Sequence, residues 1–190
     1  MNKKNWMIYG ANGYTGALIA HTAAKRGLKP ILAGRKLEAI KKLAEETNLS
    51  YRVFDLKHSG QIAESLQDCT LVLHCAGPFD ETARPMAEAA IEAKCHYLDI
   101  TGEVMVFEDL LKLDDLAKEN KVMLLPGAGF DIVPTDCVAN LLKQRLPDAN
   151  NLELAFIGAE KAATGSLKTA IRQLPSGSLL RENGKLTAIP

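Results

Sequence analysis

Short apolar segments alternate with longer amphipathic segments along the first 146 residues, and this alternation constrains the fold more than any other feature. The apolar segments have the length of buried strands, and the amphipathic segments repeat their apolar residues at helical spacing. Strands joined in turn by helices make right-handed crossovers and a parallel sheet covered on both faces. The sequence therefore predicts an α/β protein with a doubly wound parallel sheet, the Rossmann arrangement. The predicted strands are 6–9, 30–33, 51–54, 71–76, 97–100 and 122–125, and the predicted helices are 15–26, 36–46, 61–66, 81–93, 104–119 and 135–146.

A glycine-rich turn joins the first predicted strand to the first predicted helix. Its glycines follow the spacing GxxGxxG, which has one more residue between the first two glycines than the GxGxxG fingerprint. The first glycine permits a tight turn, the second lets the backbone approach a pyrophosphate, and the third lets helix and strand pack together. The following helix start favours phosphate. A glycine turn that serves packing alone is the alternative. The predicted cofactor-binding residues here are Gly10, Asn12, Gly13, Tyr14, Thr15 and Gly16.

The end of the second predicted strand indicates which dinucleotide binds. An NAD site usually carries an Asp or Glu there, about 20 residues beyond the glycines, to hold the ribose 2′-hydroxyl. This chain has Arg35 and Lys36 instead. A guanidinium pairs bidentately with a phosphate, whereas a carboxylate repels it. The alternative is a solvated pair of cations at the start of the second helix, which is the unfavourable end for positive charge. We therefore predict NADP as the cofactor.

Two further strand ends are predicted to face the same crevice. Ala76, Gly77 and Pro78 lie at the end of the fourth strand, which neighbours the first strand at the point where the strand order reverses and ligands bind. Asp55 follows the third strand, where its carboxylate would accept a hydrogen bond from an adenine amine. A turn or N-cap aspartate is an equally good interpretation of Asp55.

Three acids at or beyond the ends of later strands are candidate catalytic residues. Asp99, Glu103 and Asp131 lie near the place predicted for the nicotinamide, where an acid would orient a substrate amine or relay a proton. Helix capping is the alternative, because Thr101 precedes one predicted helix and Pro134 the next. Capping is the favoured interpretation of Asp131, and both interpretations stay open for Glu103.

The four cysteines favour buried thiols over a metal site. None forms a CxxC pair, and adjacent residues on a strand point to opposite faces, so each Cys–His pair offers at most one inward ligand. Free cysteine behaves as a small buried hydrophobe. No metal and no disulfide is predicted for Cys69, Cys75, Cys95 and Cys137.

Charge and hydropathy exclude several partners. The 23 basic and 23 acidic residues balance, whereas nucleic-acid binding needs a basic surface. No apolar run approaches the roughly 18–20 residues of a membrane span, and the N-terminus lacks the features of a signal peptide. We predict a cytoplasmic protein that acts on a small-molecule substrate, with a homodimer left open.

The motifs in this order resemble the saccharopine dehydrogenase-like oxidoreductases, including the trans-acting enoyl reductases. The resemblance implies an N-terminal NAD(P)-binding domain and a second α/β domain of about equal size that carries much of the substrate pocket. The matching segments are Gly10–Gly16, Leu32–Arg35, Cys75–Phe79, Tyr97–Glu103 and Gly129–Asp136.

Residues 1–148 are predicted to form the NADP-binding domain, and residues 149–190 the beginning of a second, incomplete domain. The segment 152–157 is predicted to form a strand whose apolar side is covered by another chain or left disordered. Such a protein would transfer hydride between the nicotinamide and a C=N, C=O or C=C bond. The sequence has no Tyr-x-x-x-Lys, which tells against the short-chain dehydrogenase mechanism. The alternatives are a non-catalytic NADPH sensor and an NmrA-like or epimerase-type relative.

Overall fold

The computed structural model describes residues 5–155, 171, 178–182 and 185–189 of the 190-residue chain. The chain divides between Leu154 and Ala155 into two compact units. The predicted domain ranges, 1–148 and 149–190, stay predictions.

The first unit contains a six-stranded parallel sheet with the strand order β3-β2-β1-β4-β5-β6. This order is that of the doubly wound dinucleotide fold, so the predicted fold class is confirmed. The strands are β1 (Asn5–Tyr9), β2 (Ile31–Gly34), β3 (Tyr51–Val53), β4 (Cys69–His74), β5 (His96–Asp99) and β6 (Leu124–Leu125). The helices are α1 (Tyr14–Lys25), α2 (Leu37–Thr47), α3 (Ser59–Leu66), α4 (Phe79–Glu92), α5 (Val104–Leu111), α6 (Asp114–Glu119) and α7 (Val133–Arg145).

Alternate residues of the central strand β1 belong to the two halves of the core. Met7 and Tyr9 pack with residues of α3, α4 and α5, whereas Ile8 packs with residues of α1 and α2. Side chains on a strand point alternately to opposite faces. The sheet is therefore buried on both sides, as the continuous apolar character of its strands predicts.

The helix predicted over 104–119 is two helices. The first ends at Leu111, and a new helix begins at Asp114 with Asp114 and Asp115 in its first turn, where carboxylates are favourable. Leu113 lies in the break and is buried in the core. The periodicity of the segment alone does not reveal this break.

Helix α7 contains no buried residue. Its apolar side chains Val133, Val138 and Leu141 are about half exposed, and so is Leu146 beyond its end. No helix of the described residues has the length and apolar character that crossing a membrane requires.

The predicted strand 152–157 is not a strand where the structure describes it, because residues 152–155 have no regular secondary structure. Residues 156 and 157 lie outside the described residues. Leu152 and Leu154 are exposed, and their proposed covering stays a prediction. In the second unit, β7 (Ser178–Glu182) and β8 (Lys185–Ile189) pair as an antiparallel hairpin.

Candidate functional site

The carboxyl ends of the parallel strands meet at one edge of the sheet. Tyr9 at the end of β1 is in register with Ala33 of β2 and His74 of β4, and His74 is in register with Asp99 of β5. The loops that follow these strands therefore gather at the same edge. This edge carries every predicted site residue, on the segments 10–16, 35–36, 55, 76–78, 99–103 and 131.

The glycine turn folds tightly over this edge. Gly10 has a positive φ of 77°, and its N–H donates to the Ala33 carbonyl at 2.8 Å. The Gly13 N–H donates back to the Gly10 carbonyl at 2.9 Å. A Cβ atom on Gly10 would lie 2.8 Å from both the amide nitrogen and the Cβ of Ala76. The turn after β1 thus touches the turn after β4, and position 10 has no room for a side chain.

The third glycine lets α1 begin directly against the turn. A Cβ atom on Gly16 would collide with the Gly10 carbonyl oxygen and would lie 2.9 Å from the Ala11 Cα. Gly13 is the N-cap of α1, no side chain caps this end of the helix, and its first turn contains no acidic residue. Uncapped backbone N–H groups at a helix start are a suitable site for a phosphate. The cradle therefore fits a diphosphate, as the spacing of the glycines predicts.

Arg35 and Lys36 leave the end of β2 toward solvent, and both are exposed. Lys36 is the N-cap residue of α2 and makes no side-chain cap. The Asn12 Oδ1 lies 3.0 Å from the position of a Cβ on Gly34. The glycine turn therefore reaches over the end of β2, close to the two cations.

The Tyr9 hydroxyl is bonded to the segment that follows β3. It is buried and donates to the Phe54 carbonyl at 3.1 Å. Burial and the nearby Asp55 carboxylate raise the pKa of Tyr9 to about 12, whereas Arg35 opposes the shift. Arg35 and Asp55 therefore have opposite effects on the pKa of the same buried hydroxyl.

Asp55 forms the turn that follows β3. Its Oδ1 accepts the Lys57 N–H at 2.9 Å, an Asx turn. The turn interpretation of Asp55 is therefore confirmed, whereas the N-cap of α3 is His58 and not Asp55. The hydrogen bond to an adenine amine stays a prediction.

The turn after β4 is anchored at both ends. The Cys75 N–H donates to the Tyr9 carbonyl at 2.8 Å, and Pro78 is the N-cap residue of α4. Between them, Ala76 and Pro78 are half-buried and Gly77 is exposed. The Gly77–Pro78 peptide bond is cis.

A buried histidine lies beneath this turn. His74 is 0% exposed, and its Nε2 lies 3.0 Å from the Thr82 hydroxyl of α4. Burial lowers the pKa of His74 to about 3, so the ring is neutral at physiological pH. Sequence analysis did not select His74 or Thr82. The signal that would have found Thr82 is its position four residues after Pro78, where a threonine hydroxyl can bond back to the helix start.

Asp99 is fully buried at the end of β5. Its Oδ2 accepts the Tyr97 hydroxyl at 2.6 Å, and its Oδ1 accepts the backbone N–H groups of Thr101 at 3.0 Å and Gly127 at 2.8 Å. Burial raises the pKa of Asp99 despite these donors. The carboxylate therefore joins the loop after β5 to the loop after β6. Its predicted catalytic role stays a prediction, and its geometry favours a positioning role.

Glu103 and Asp131 lie on the two loops that Asp99 joins. Glu103 is the N-cap residue of α5, and its N–H donates to the Thr101 hydroxyl at 3.1 Å. Asp131 is exposed, and its Oδ2 lies 3.4 Å from the position of a Cβ on Gly102. Helix α7 has Ile132 as its N-cap and no side-chain cap. The favoured capping interpretation of Asp131 is therefore wrong, and its carboxylate faces the loop of Gly102.

The cysteines differ in exposure. Cys69 and Cys95 are buried, Cys75 is partly buried and Cys137 is exposed. The prediction of a buried thiol is therefore wrong for Cys137. Burial and the nearby Asp99 raise the pKa of Cys75 to about 12, which keeps it a thiol. Among the described residues, no three His, Cys, Asp or Glu side chains are grouped so that they could hold a metal ion.

A Rossmann sheet with an uncapped glycine cradle defines the dinucleotide-binding class of protein. Residues 6–125 match the saccharopine dehydrogenase NADP binding domain. The chain belongs to this family, and the cofactor predicted from Arg35 and Lys36 agrees with a family of NADP-binding domains.

Curated relatives are distant and longer. The human saccharopine dehydrogenase-like oxidoreductase is 26% identical over 150 residues, which cover 68% of this chain and 35% of the relative. A lipid droplet localized protein of Caenorhabditis elegans is 28% identical, with coverages of 80% and 39%. The trans-acting enoyl reductase of Mycobacterium ulcerans is 25% identical, with coverages of 78% and 38%. The chain thus spans somewhat more than a third of the length of these relatives.

Solved structures show the same fold at low sequence identity. Apo saccharopine dehydrogenase (L-Glu forming) of Saccharomyces cerevisiae superposes with a TM-score of 0.67 at 17% identity, over 77% of this chain and 32% of that chain. The triphenylmethane reductase of Citrobacter sp. complexed with NADP(H) superposes with a TM-score of 0.51 at 14% identity, over 64% and 48%.

Proposed function

We propose that this chain is the NADP-binding part of an oxidoreductase that transfers hydride between the nicotinamide and a C=N, C=O or C=C bond of a small molecule. The observation that carries the proposal is the glycine cradle, in which Gly10 and Gly16 leave no room for a Cβ and the start of α1 has no side-chain cap. Relatives named as oxidoreductases support the class of reaction.

Each contact proposed for the cofactor follows from a position at the sheet edge. The backbone of residues 10–16 would hold the diphosphate at the start of α1, and Asp55 would accept from the adenine amine. Residues 76–78 lie on the β4 side of the cradle, where the nicotinamide half would lie. The bound cofactor supplies or accepts the hydride. Glu103 and Asp131 would orient the substrate or move a proton.

The preference for NADP over NAD rests on Arg35 and Lys36. Both cations are exposed at the end of β2, and the position holds no carboxylate that would bind a ribose 2′-hydroxyl. A charge-assisted contact of a guanidinium with a 2′-phosphate contributes about 1.5–3 kcal/mol. That energy is worth a preference of about tenfold or more.

Arg35→Ala tests this preference. We expect the Kd for NADPH to rise at least about tenfold while the Kd for NADH changes little, because only NADPH carries the 2′-phosphate. Titration calorimetry with both nucleotides measures the ratio. Arg145→Ala, which removes an exposed guanidinium at the end of α7, is the matched control and should leave both constants unchanged. An unaltered ratio in Arg35→Ala would show that Arg35 does not select the nucleotide.

Hydride transfer is tested separately from binding, with NADPH that carries deuterium at the reactive carbon. We expect the natural protein that contains this chain to move the label stereospecifically to a carbonyl, imine or enoyl compound. Mass spectrometry of the products gives the result. Saturable binding of NADPH without transfer to any compound of the panel would contradict the enzymatic proposal and favour a nucleotide sensor. A cytoplasmic location and a homodimer stay predictions of the sequence.

A further inference from the structure

One hydroxyl group of α4 closes the turn that follows β4. The Thr82 Oγ1 donates toward two carbonyls, that of Ala76 at 2.7 Å and that of Pro78 at 2.8 Å. These carbonyls stand on either side of Gly77, so the bonds hold the two ends of the turn. Because a glycine has no side chain to restrict its backbone, the shape of this turn depends on such contacts.

His74 fixes the direction of that hydroxyl proton. With the single proton of Thr82 directed at the two carbonyls, the geometry assigns the ring Nε2, 3.0 Å away, as the donor to the hydroxyl oxygen. The other ring nitrogen, Nδ1, is buried and has no hydrogen-bond partner in the described part of the chain. The ring itself is held by aromatic neighbours, with centroid distances of 5.6 Å to Tyr9 and 5.4 Å to Phe79.

The position of the turn indicates which half of the nucleotide it meets. Ala76 lies against Gly10 of the phosphate cradle, and β4 neighbours β1 where the strand order reverses. The extra phosphate of the adenosine half is assigned to Arg35, on the β2 side. A dinucleotide extends across the reversal point from one half of the sheet to the other. The nicotinamide half therefore lies on the β4 side.

We propose that Thr82, oriented by His74, is a positioning residue that holds the Ala76–Pro78 turn in the shape that receives the nicotinamide half of NADP. Thr82 touches neither phosphate nor nicotinamide in this proposal and acts through the backbone of the turn. The inference rests on the proposed function, because it requires that the cradle binds NADP.

The experiment compares two ligands on the same variants. NADPH reaches both halves of the site, whereas 2′,5′-ADP carries only the adenosine half. We expect Thr82→Val to raise the Kd for NADPH about five- to tenfold and to leave the Kd for 2′,5′-ADP unchanged. Thr82→Ser, which keeps the hydroxyl, should restore NADPH affinity. Thr47→Val is the matched control, because Thr47 also bonds back to a helix carbonyl, that of Leu43, away from the turn.

A general loss of structure would weaken the binding of both ligands alike. Equal increases in the Kd for NADPH and for 2′,5′-ADP therefore overturn the inference. An unchanged Kd for NADPH in Thr82→Val also overturns it. Thr82→Ala, whose smaller side chain introduces no new contact, is measured beside it, so that one variant remains if the other does not fold. Failure of the wild-type chain to bind either ligand instead overturns the proposed function itself. The two failures are therefore distinguishable.

Discussion

We expect Gly10→Ala to lower the free energy of unfolding by about 2–5 kcal/mol and to abolish NADPH binding. The left-handed backbone at position 10, with φ of 77°, costs an L-residue about 1–2 kcal/mol. The new Cβ would also lie 2.8 Å from the Ala76 amide nitrogen and 2.9 Å from the Cys75 carbonyl carbon. These are backbone atoms of a turn that is held at both ends, so relief requires a shift of the turn, at about 1–3 kcal/mol. Urea unfolding and calorimetry with NADPH measure the two effects.

Gly27→Ala separates the cost of the left-handed backbone from the cost of the contacts that a new Cβ makes. Gly27 has a similar φ of 73°, and a Cβ there would meet no atom within 4 Å. We expect this variant to lose only the backbone contribution, about 1–2 kcal/mol, and to bind NADPH as the wild type does. Equal losses of stability in both variants, or retained NADPH affinity in Gly10→Ala, would show that the contact between the two turns does not shape the cradle.

The parts of the fold that follow from local patterns are predictable from the sequence. All six strands of the sheet overlap their predicted ranges because each is an apolar run bounded by turn residues. The glycine cradle is equally local, since its three glycines serve one turn and one helix start. The order of the strands then follows from the general handedness and topology of alternating strands and helices.

Contacts between distant segments are not predictable in this way. The Asp99 carboxylate accepts a hydrogen bond from the Gly127 N–H, 28 residues away. No rule of residue spacing predicts that bond. The break between α5 and α6 at Leu113 is likewise not visible in the periodicity, which looks continuous. Helix α7 is also not predictable from its sequence pattern. Its apolar residues favour burial, but none of them is buried among the described residues.

The pairing of β7 and β8 was predictable from a dipeptide that the sequence analysis above leaves out. The two residues between β7 and β8 are Asn183 and Gly184. Asn-Gly between two apolar segments is a strong indication of a two-residue hairpin turn.

Asp99→Ala removes the acceptor that joins two loops of the site. The buried Tyr97 hydroxyl and the Thr101 and Gly127 N–H groups would all lose their partner. Because each buried donor left unsatisfied costs about 1–3 kcal/mol, we expect the free energy of unfolding to fall by at least about 3 kcal/mol. We also expect hydride transfer to be lost with the geometry of Glu103 and Asp131.

Asp99→Asn decides whether Asp99 positions these loops or moves a proton. The amide oxygen still accepts from Thr101 and Gly127, and the amide nitrogen can donate to the Tyr97 oxygen. A positioning role predicts hydride transfer within about tenfold of the wild type, measured with labelled NADPH in the natural protein. A role in proton transfer predicts a loss of about 100-fold or more with the fold intact, and that result would contradict the positioning role.

The pH dependence of stability gives an independent check on the same variant. Burial raises the folded-state pKa of Asp99 above its ordinary value of 3.8, so the folded chain holds this proton more tightly than the unfolded chain. Its contribution to stability is complete below the ordinary value and is lost as pH rises through the raised pKa. Asparagine does not titrate, so urea unfolding should show that Asp99→Asn gains stability relative to the wild type as pH rises through this window. A constant difference across that window would mean that the carboxyl pKa is the same in the folded and unfolded chains. Burial would then not raise the pKa of Asp99.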